Sequence, residues 1–178
     1  MNHLLNLLSD LQIPFQRFDH PAVFTCEESD KICPPMPGAH TKQLLMRSKA
    51  KDKYLLAIVM HDKRVDTRAL SKEYKVQSFS FASPENLRRL LGVTPGSVSP
   101  FGLLYDKNHE IEVIVDEDAW NIGQFRFHPL TNTATLIVDR EAFKTFLKHT
   151  GHAFSIRKIP AKNFKMKYPA PEVRGITD

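Results

Sequence analysis

SFASPENLRRLLGVTPGSVSPFGLLYD, residues 80–106, holds a helix, a rigid loop and an apolar run within one short stretch. Ser83 followed by Pro84 reads as an N-cap with a first-turn proline. Leu87, Leu90 and Leu91 share one helical face, and Gly92 suits the position just past a helix end. Next comes Pro95-Gly96-Ser97-Val98-Ser99-Pro100-Phe101-Gly102, a G-x-x-x-P loop. Glycine permits close backbone approach and proline fixes the exit, so backbone groups here can be aimed at a ligand. Phe101–Tyr105 then reads as a strand. Asp106-Lys107-Asn108-His109 would turn it into a second strand at Ile111–Val115, a predicted hairpin.

Upstream, residues 39–47 and 54–60 (YLLAIVM) bracket a polar, lysine-rich turn and predict another hairpin. The second of these strands is apolar on both faces, which predicts a central place in its sheet. Asp66 can cap a helix through about Tyr74, and Val76–Ala82 reads as a strand. Nearer the start, Leu4, Leu5, Leu7, Leu8 and Leu11 repeat at helical spacing over residues 2–11, and Pro14 ends that helix before a strand at Phe15–Phe18. Thr25 with Glu28 forms a T-x-x-E capping pair for a helix over Cys26–Lys31. Pro34-Pro35-Met36-Pro37-Gly38 has too few donors for regular structure and predicts a rigid loop. Downstream, strands are predicted at Phe125–His128 and Ala134–Val138. Asp139 caps a helix carrying Phe143, Phe146 and Leu147, which stops at Gly151. Helices and strands mix without a βαβ rhythm, so the expected class is α+β with a mixed sheet.

With 178 residues and 42% apolar side chains, the chain fits one domain with a real core. No run of about 18 apolar residues marks a membrane span, and MNHLLNLLSDL lacks the basic start and cleavage site of a secretory signal. Two cysteines, Cys26 and Cys33, are too few for a disulfide framework and predict a reduced, cytoplasmic protein. The net charge of +5 suits a polyanionic partner. Basic residues gather at Lys42, Arg47, Lys49, Lys51 and Lys53, and again at Lys158, Lys162, Lys165 and Lys167.

Few residues carry generic catalytic signatures. His149 and His152 have a metal-like spacing, but Gly151 breaks the helix between them and no third ligand is near in sequence, so no metal is expected there. Cys26 has no local histidine pattern to activate it and reads as a structural thiol. Two local patterns join the G-x-x-x-P loop. Gly38-Ala39-His40-Thr41-Lys42-Gln43-Leu44-Leu45 places a lysine early in a strand, straight after a rigid loop. Phe127-His128-Pro129-Leu130-Thr131-Asn132 places a histidine and an asparagine in a turn between strands.

In order and spacing, these patterns resemble the YbaK/ProX family of editing domains, most closely its alanyl-tRNA(Pro) deacylase branch, ProXp-ala. The stretches that carry the likeness are HPAVFTCEES (20–29), GAHTKQLL (38–45), KYLLAIV (53–59), KRVD (63–66), residues 80–106 and FHPLTNTATL (127–136). The resemblance implies an α+β domain, a mixed sheet flanked by helices, over residues 1–157, with 158–178 a basic, proline-containing tail. It implies hydrolysis of the ester joining a wrong amino acid, alanine first, to tRNA(Pro). Lys42, Gly96, Pro100 and His128 are the implied catalytic residues. Thr41, Gln43, Ser97, Val98, Ser99, Phe101 and Asn132 are implied to contact substrate. The implied partner is the acceptor end of mischarged tRNA(Pro), with prolyl-tRNA synthetase as a second candidate, and no cofactor is needed. The family motif commonly reads Lys-Asn-Leu-Phe-Leu where this chain has Lys42-Gln43-Leu44-Leu45-Met46, a longer amide at the second position. A Cys-tRNA(Pro) or broader small-residue deacylase, and an idle tRNA-binding module, stay open beside the alanine reading.

Overall fold

The computed structural model describes residues 2–49 and 53–162. In chain order the elements are α1 (Asn2–Asp10), β1 (Gln16–Asp19), α2 (Cys26–Ile32), β2 (Thr41–Ser48), β3 (Tyr54–Met60), α3 (Thr67–Glu73), β4 (Phe79–Phe81) and α4 (Pro84–Leu91). A 3-10 turn over Pro100–Leu104 leads to β5 (Ile111–Asp116), α5 (Glu117–Ile122), β6 (Gln124–Phe127), β7 (Ala134–Asp139), α6 (Arg140–Thr150) and β8 (Phe154–Arg157).

Five strands form one sheet in the order β4-β2-β3-β5-β8, and three form another in the order β1-β7-β6. The first is mixed: β2 and β4 run antiparallel to their neighbours, whereas β3, β5 and β8 are parallel. Ala39 joins the two sheets, since its N–H donates to the Gln124 carbonyl at 2.8 Å and its own carbonyl accepts from the Arg126 N–H at 3.2 Å. The class is therefore the expected α+β.

β3 is buried on both faces, as its unbroken apolar run predicts. Leu56 and Ile58 face a large cluster with Phe101, Phe125, Phe127, Phe143 and Phe146. Leu55, Ala57 and Val59 face a smaller one with Met46, Leu70 and Ile114. At about 25 cal/mol per Å² of apolar area buried, these two faces supply most of the drive to fold. Caps fix the helix ends where the sequence placed them. Asp139 accepts from the Ala142 N–H at 2.8 Å, Ser83 from Asn86 at 3.2 Å, and Asp66 from both Arg68 and Ala69 at 3.0 Å.

Several expectations are corrected. The predicted hairpin of Phe101–Tyr105 with Ile111–Val115 does not form. Ser99 accepts from the Phe101 N–H at 3.3 Å and Pro100 takes the first position, which together wind the apolar run into a 3-10 turn. Leu103 is buried, and β5 instead pairs parallel with β3. The strand expected over Val76–Ala82 shrinks to Phe79–Phe81, because Lys75 takes a positive φ of 51° and Val76 closes the end of α3 by bonding back to Ser71. β1 begins one residue later than expected, and α5 and β8 are additional elements. Residues 158–162 pack on the domain: Ile159 is buried and donates its N–H to Asp116 Oδ1 at 3.0 Å. The rest of the expected tail, 163–178, lies outside the described residues, as does Lys51.

Candidate active site

β4 pairs only with Met46–Ser48, so the first half of β2 has no strand on that side. A cleft of about 210 Å³ opens there. Its walls come from the segment before α2, the proline loop, the start of β2, the Gly96–Val98 loop and the β6–β7 pair. This volume lies below the roughly 300–1,000 Å³ of sites that enclose a drug-sized ligand, so it suits one small group with the rest of a longer ligand outside.

Thr41, Lys42 and Gln43 all reach this cleft, since it opens at the strand's edge rather than over one face. Gln43 Nε2 donates to Thr41 Oγ1 at 2.8 Å, and Thr41 Oγ1 donates to the Arg126 carbonyl at 3.1 Å. That chain spends one of the amide's two N–H groups on a buried threonine and leaves its carbonyl oxygen for another partner. Lys42 is half-buried and, among the described residues, has no carboxylate within ion-pair distance. An ammonium so placed is a ready partner for an anionic or carbonyl oxygen.

The Gly96 wall follows from turn chemistry. Ser97 N–H donates to the Thr94 carbonyl at 3.0 Å, closing a turn with Pro95 and Gly96 at its centre. Gly96 has φ +88°, the conformation that the third position of a type II turn requires. A Cβ there would also meet the Phe24 ring at 3.2 Å. From Gly96 the chain alternates: Gly96 and Val98 line the cleft, whereas Ser97 and Ser99 are buried behind it.

His128 closes the opposite side. Its Nδ1 donates to the Ala134 carbonyl at 2.9 Å, which fixes the tautomer and leaves Nε2 without a partner among the described residues. Burial pushes the His128 imidazole below its ordinary pKa, the Ala134 carbonyl opposes this, and His20 adds to the lowering. The ring is therefore neutral near pH 7, a hydrogen-bond acceptor at Nε2. His20 donates from Nδ1 to the Pro21 carbonyl at 2.8 Å, and its Nε2 lies 3.0 Å from Thr135 Oγ1. That contact sets the hydroxyl of Thr135, another cleft residue.

The structure thus gathers Lys42, Thr41, Gln43, Gly96, Val98 and His128 around one space. The other expected residues stand off its lining. Phe101 is 1% exposed and packs edge-on against Phe127 and Phe146, because the 3-10 turn drives it into the core and off the cleft lining. Pro100 and Ser99 hold that turn, and Ser97 holds the Gly96 turn. Asn132 donates from Nδ2 to the Val23 carbonyl at 2.9 Å and so fixes a cleft wall from behind. Sequence reasoning passed over Val23, Phe24, Ser29, Met36, His40, Arg126 and Thr135, which with Thr25 complete the lining. Arg126 was legible only through the fold, since its guanidinium bonds to the carbonyls of Met36 and Pro37 and ties the proline loop to β6. The expected T-x-x-E pair does form around Thr25, but Glu28 accepts from the Phe24 N–H at 2.7 Å instead of closing on Thr25 itself. It thereby sets Phe24, 64% exposed, at the cleft mouth.

The aminoacyl-tRNA editing domain family matches residues 20–146, a span that holds every lining residue of the cleft. The chain belongs to that family. Among its relatives, the prolyl-tRNA editing protein ProX of Acetoanaerobium sticklandii is 31% identical over 147 residues, 83% of this chain and 90% of that one. The prolyl-tRNA synthetase associated domain-containing protein 1 of Xenopus laevis is 35% identical over 153 residues, 84% of this chain and 90% of that one. A crystal structure described as a candidate trans-editing enzyme for prolyl-tRNA synthetase superposes with a TM-score of 0.64 at 19% identity, over 91% of this chain and 94% of that one. That structural likeness shows the editing-domain fold. No helix among the described residues is long and apolar enough to cross a membrane.

Proposed function

We propose that this editing-family protein is a trans-acting deacylase that removes alanine from mischarged tRNA(Pro). The observation that carries the reading is the convergence of Lys42, the Gly96–Val98 backbone and the neutral His128 on one small cleft. A prolyl-tRNA synthetase pocket cannot strongly reject a smaller amino acid, because a missing methylene is worth only about 1–3 kcal/mol. A second site that admits a methyl side chain and clashes with a proline ring supplies the missing discrimination. Val23, Met36 and Val98 supply apolar walls for such a side chain.

Water attacks the ester carbonyl carbon, the bond from that carbon to the ribose oxygen breaks, that oxygen takes a proton from the water, and free alanine and tRNA leave. Lys42 holds the carbonyl oxygen or the terminal phosphate as negative charge develops. Backbone groups of Gly96–Val98 position the aminoacyl group, and Nε2 of His128 accepts a hydrogen bond from the terminal ribose hydroxyl or the attacking water. Phe24 offers the terminal adenine a ring at the mouth of the cleft. The reaction needs no metal or organic cofactor, and the tRNA's acceptor end is the partner, reached in the cytoplasm with or without prolyl-tRNA synthetase.

Purified protein incubated with Ala-, Cys- and Ser-charged tRNA(Pro) tests the reading. Fastest ester loss on Ala-tRNA(Pro), with Pro-tRNA(Pro) spared, is the expected result. Preference for Cys-tRNA(Pro) would move the substrate within the family, and tRNA binding with no ester loss would leave a binding module.

A further inference from the structure

We propose that Asp30, His40 and His61 form a binding site for one divalent transition-metal ion of the zinc class. One oxygen or nitrogen from each of the three lies within 4.8 Å of the other two. His40 Nδ1 stands 3.1 Å from Asp30 Oδ1, and His61 Nδ1 stands 3.8 Å from Asp30 Oδ2. Two ligands held about 2.0–2.2 Å from a tetrahedral zinc sit about 3.4 Å apart, so small side-chain movements close this set on an ion.

The hairpin register brings the two imidazoles together. Thr41 pairs with Met60, and the next pair outward is His40 with His61, joined by a hydrogen bond of 2.9 Å from the His61 N–H to the His40 carbonyl. Both rings therefore leave the same end of the same pair of strands. They stack at 4.2 Å between centroids, with planes only 9° apart. Lone pairs lie in the ring planes, so rotation of the more exposed His61 ring is what makes the two nitrogens converge. Asp30 comes from a third segment, α2, and its carboxylate meets both rings.

The donor set is chemically apt. Two imidazoles and one carboxylate make the three-ligand pattern that zinc accepts, with water or an anion at the remaining position. On metal binding the His40 proton directed at Asp30 moves to Nε2 or to solvent, which frees the Nδ1 lone pair for the ion. The nearby positive charge of Arg126 limits affinity, and the single carboxylate offsets it. The three ligands sit on three segments far apart in sequence, which is why no local spacing revealed them. Bound metal would tie α2 to the β2–β3 hairpin beside the cleft that His40 also lines. The site stands on its own residues and does not depend on the deacylase reading.

Calorimetric titration of tag-free, full-length protein with zinc chloride alone tests it. One equivalent should bind per chain and raise the melting temperature. Asp30→Asn and His61→Ala should each weaken binding by at least about tenfold, and Cys33→Ser should leave it unchanged. Cobalt(II) on the wild-type protein gives a reading that needs no variant: strong visible bands without a thiolate charge-transfer band are expected. Absence of a saturable equivalent, unchanged binding in both ligand variants, loss of binding in Cys33→Ser, or only the faint spectrum of aqueous cobalt would each overturn the site.

Discussion

His128 and His152 are both withdrawn from solvent, yet their surroundings differ in the respect that matters for chemistry. His152 has protein partners on both ring nitrogens, Thr150 Oγ1 and Asp106 Oδ2, each at 3.1 Å. Asp106 in turn accepts from the N–H groups of Glu110 and Ile111 at 3.0 and 2.8 Å, and His109 reaches across to the Thr150 carbonyl at 2.9 Å. That cluster ties the end of α6 to the start of β5 and leaves nothing for a ligand. His128 spends one nitrogen on Ala134 and, among the described residues, keeps the other, beside a cavity that Lys42 also lines. A buried polar network that is fully satisfied holds a fold, whereas one left open beside a cleft can act on a substrate.

The largest effect expected from this contrast belongs to the cleft's cation. Lys42→Ala should lower single-turnover deacylation of Ala-tRNA(Pro) by about 100- to 1,000-fold, with a melting temperature close to that of the parent, since Lys42 forms no ion pair among the described residues. A folded variant with near-normal rate would remove Lys42 from the mechanism. The two histidines should then part company. His128→Ala is expected to slow deacylation by about tenfold or more. His152→Ala should cost about 1–3 kcal/mol of stability by orphaning buried partners, while activity per folded molecule stays at the parent level. Denaturant unfolding beside the same rate assay reads both, and a reversed pattern would exchange their roles.

Much of the fold is legible in the sequence because its signals are local. Thr25, Asp66, Ser83-Pro84, Asp139 and Gly151 each set a helix end through a partner within a few residues. Phe101–Tyr105 misled because a five-residue apolar run suits a strand or a buried turn equally, and the deciding Ser99–Pro100 cap is read only when the turn is already suspected. The parallel partnership of β5 with β3 is non-local and leaves no periodic mark. α5 was missed since Asp116 makes no side-chain cap and instead spends its carboxylate on Lys63 and the Ile159 N–H. In the site, Lys42, Gly96 and His128 stood out through the company they keep in the family motifs. Val23, Met36 and Arg126 are ordinary until the sheets bring them to one wall.

The smallest expected effect is on pH dependence. In the proposed mechanism His128 works as the neutral imidazole, and burial holds its pKa below the ordinary value. Activity should therefore persist as pH falls through about 6.5, where an exposed histidine would be half charged, and decline only below that. The same lowering acts on stability: below about 6.5 the unfolded chain takes up this proton first, so stability falls as pH falls and none is lost on the alkaline side. A rate profile that declines at or above the ordinary imidazole value would point to a different titrating group. The His128→Ala variant should lose the acid limb attributable to this ring.

The central claim is that the cleft at the open edge of β2 takes the aminoacyl end of the tRNA. Titration of isotope-labelled protein with a non-hydrolysable amide-linked 3′-alanylamino-adenosine, followed by amide NMR, tests it most directly. Shifts confined to Phe24, Thr41–Gln43, Gly96–Val98 and the residues around His128, with Asp106 and His152 unmoved, are the predicted result. Saturable shifts centred on the Asp106–His152 cluster, or none in the cleft at concentrations that saturate the protein, would contradict it.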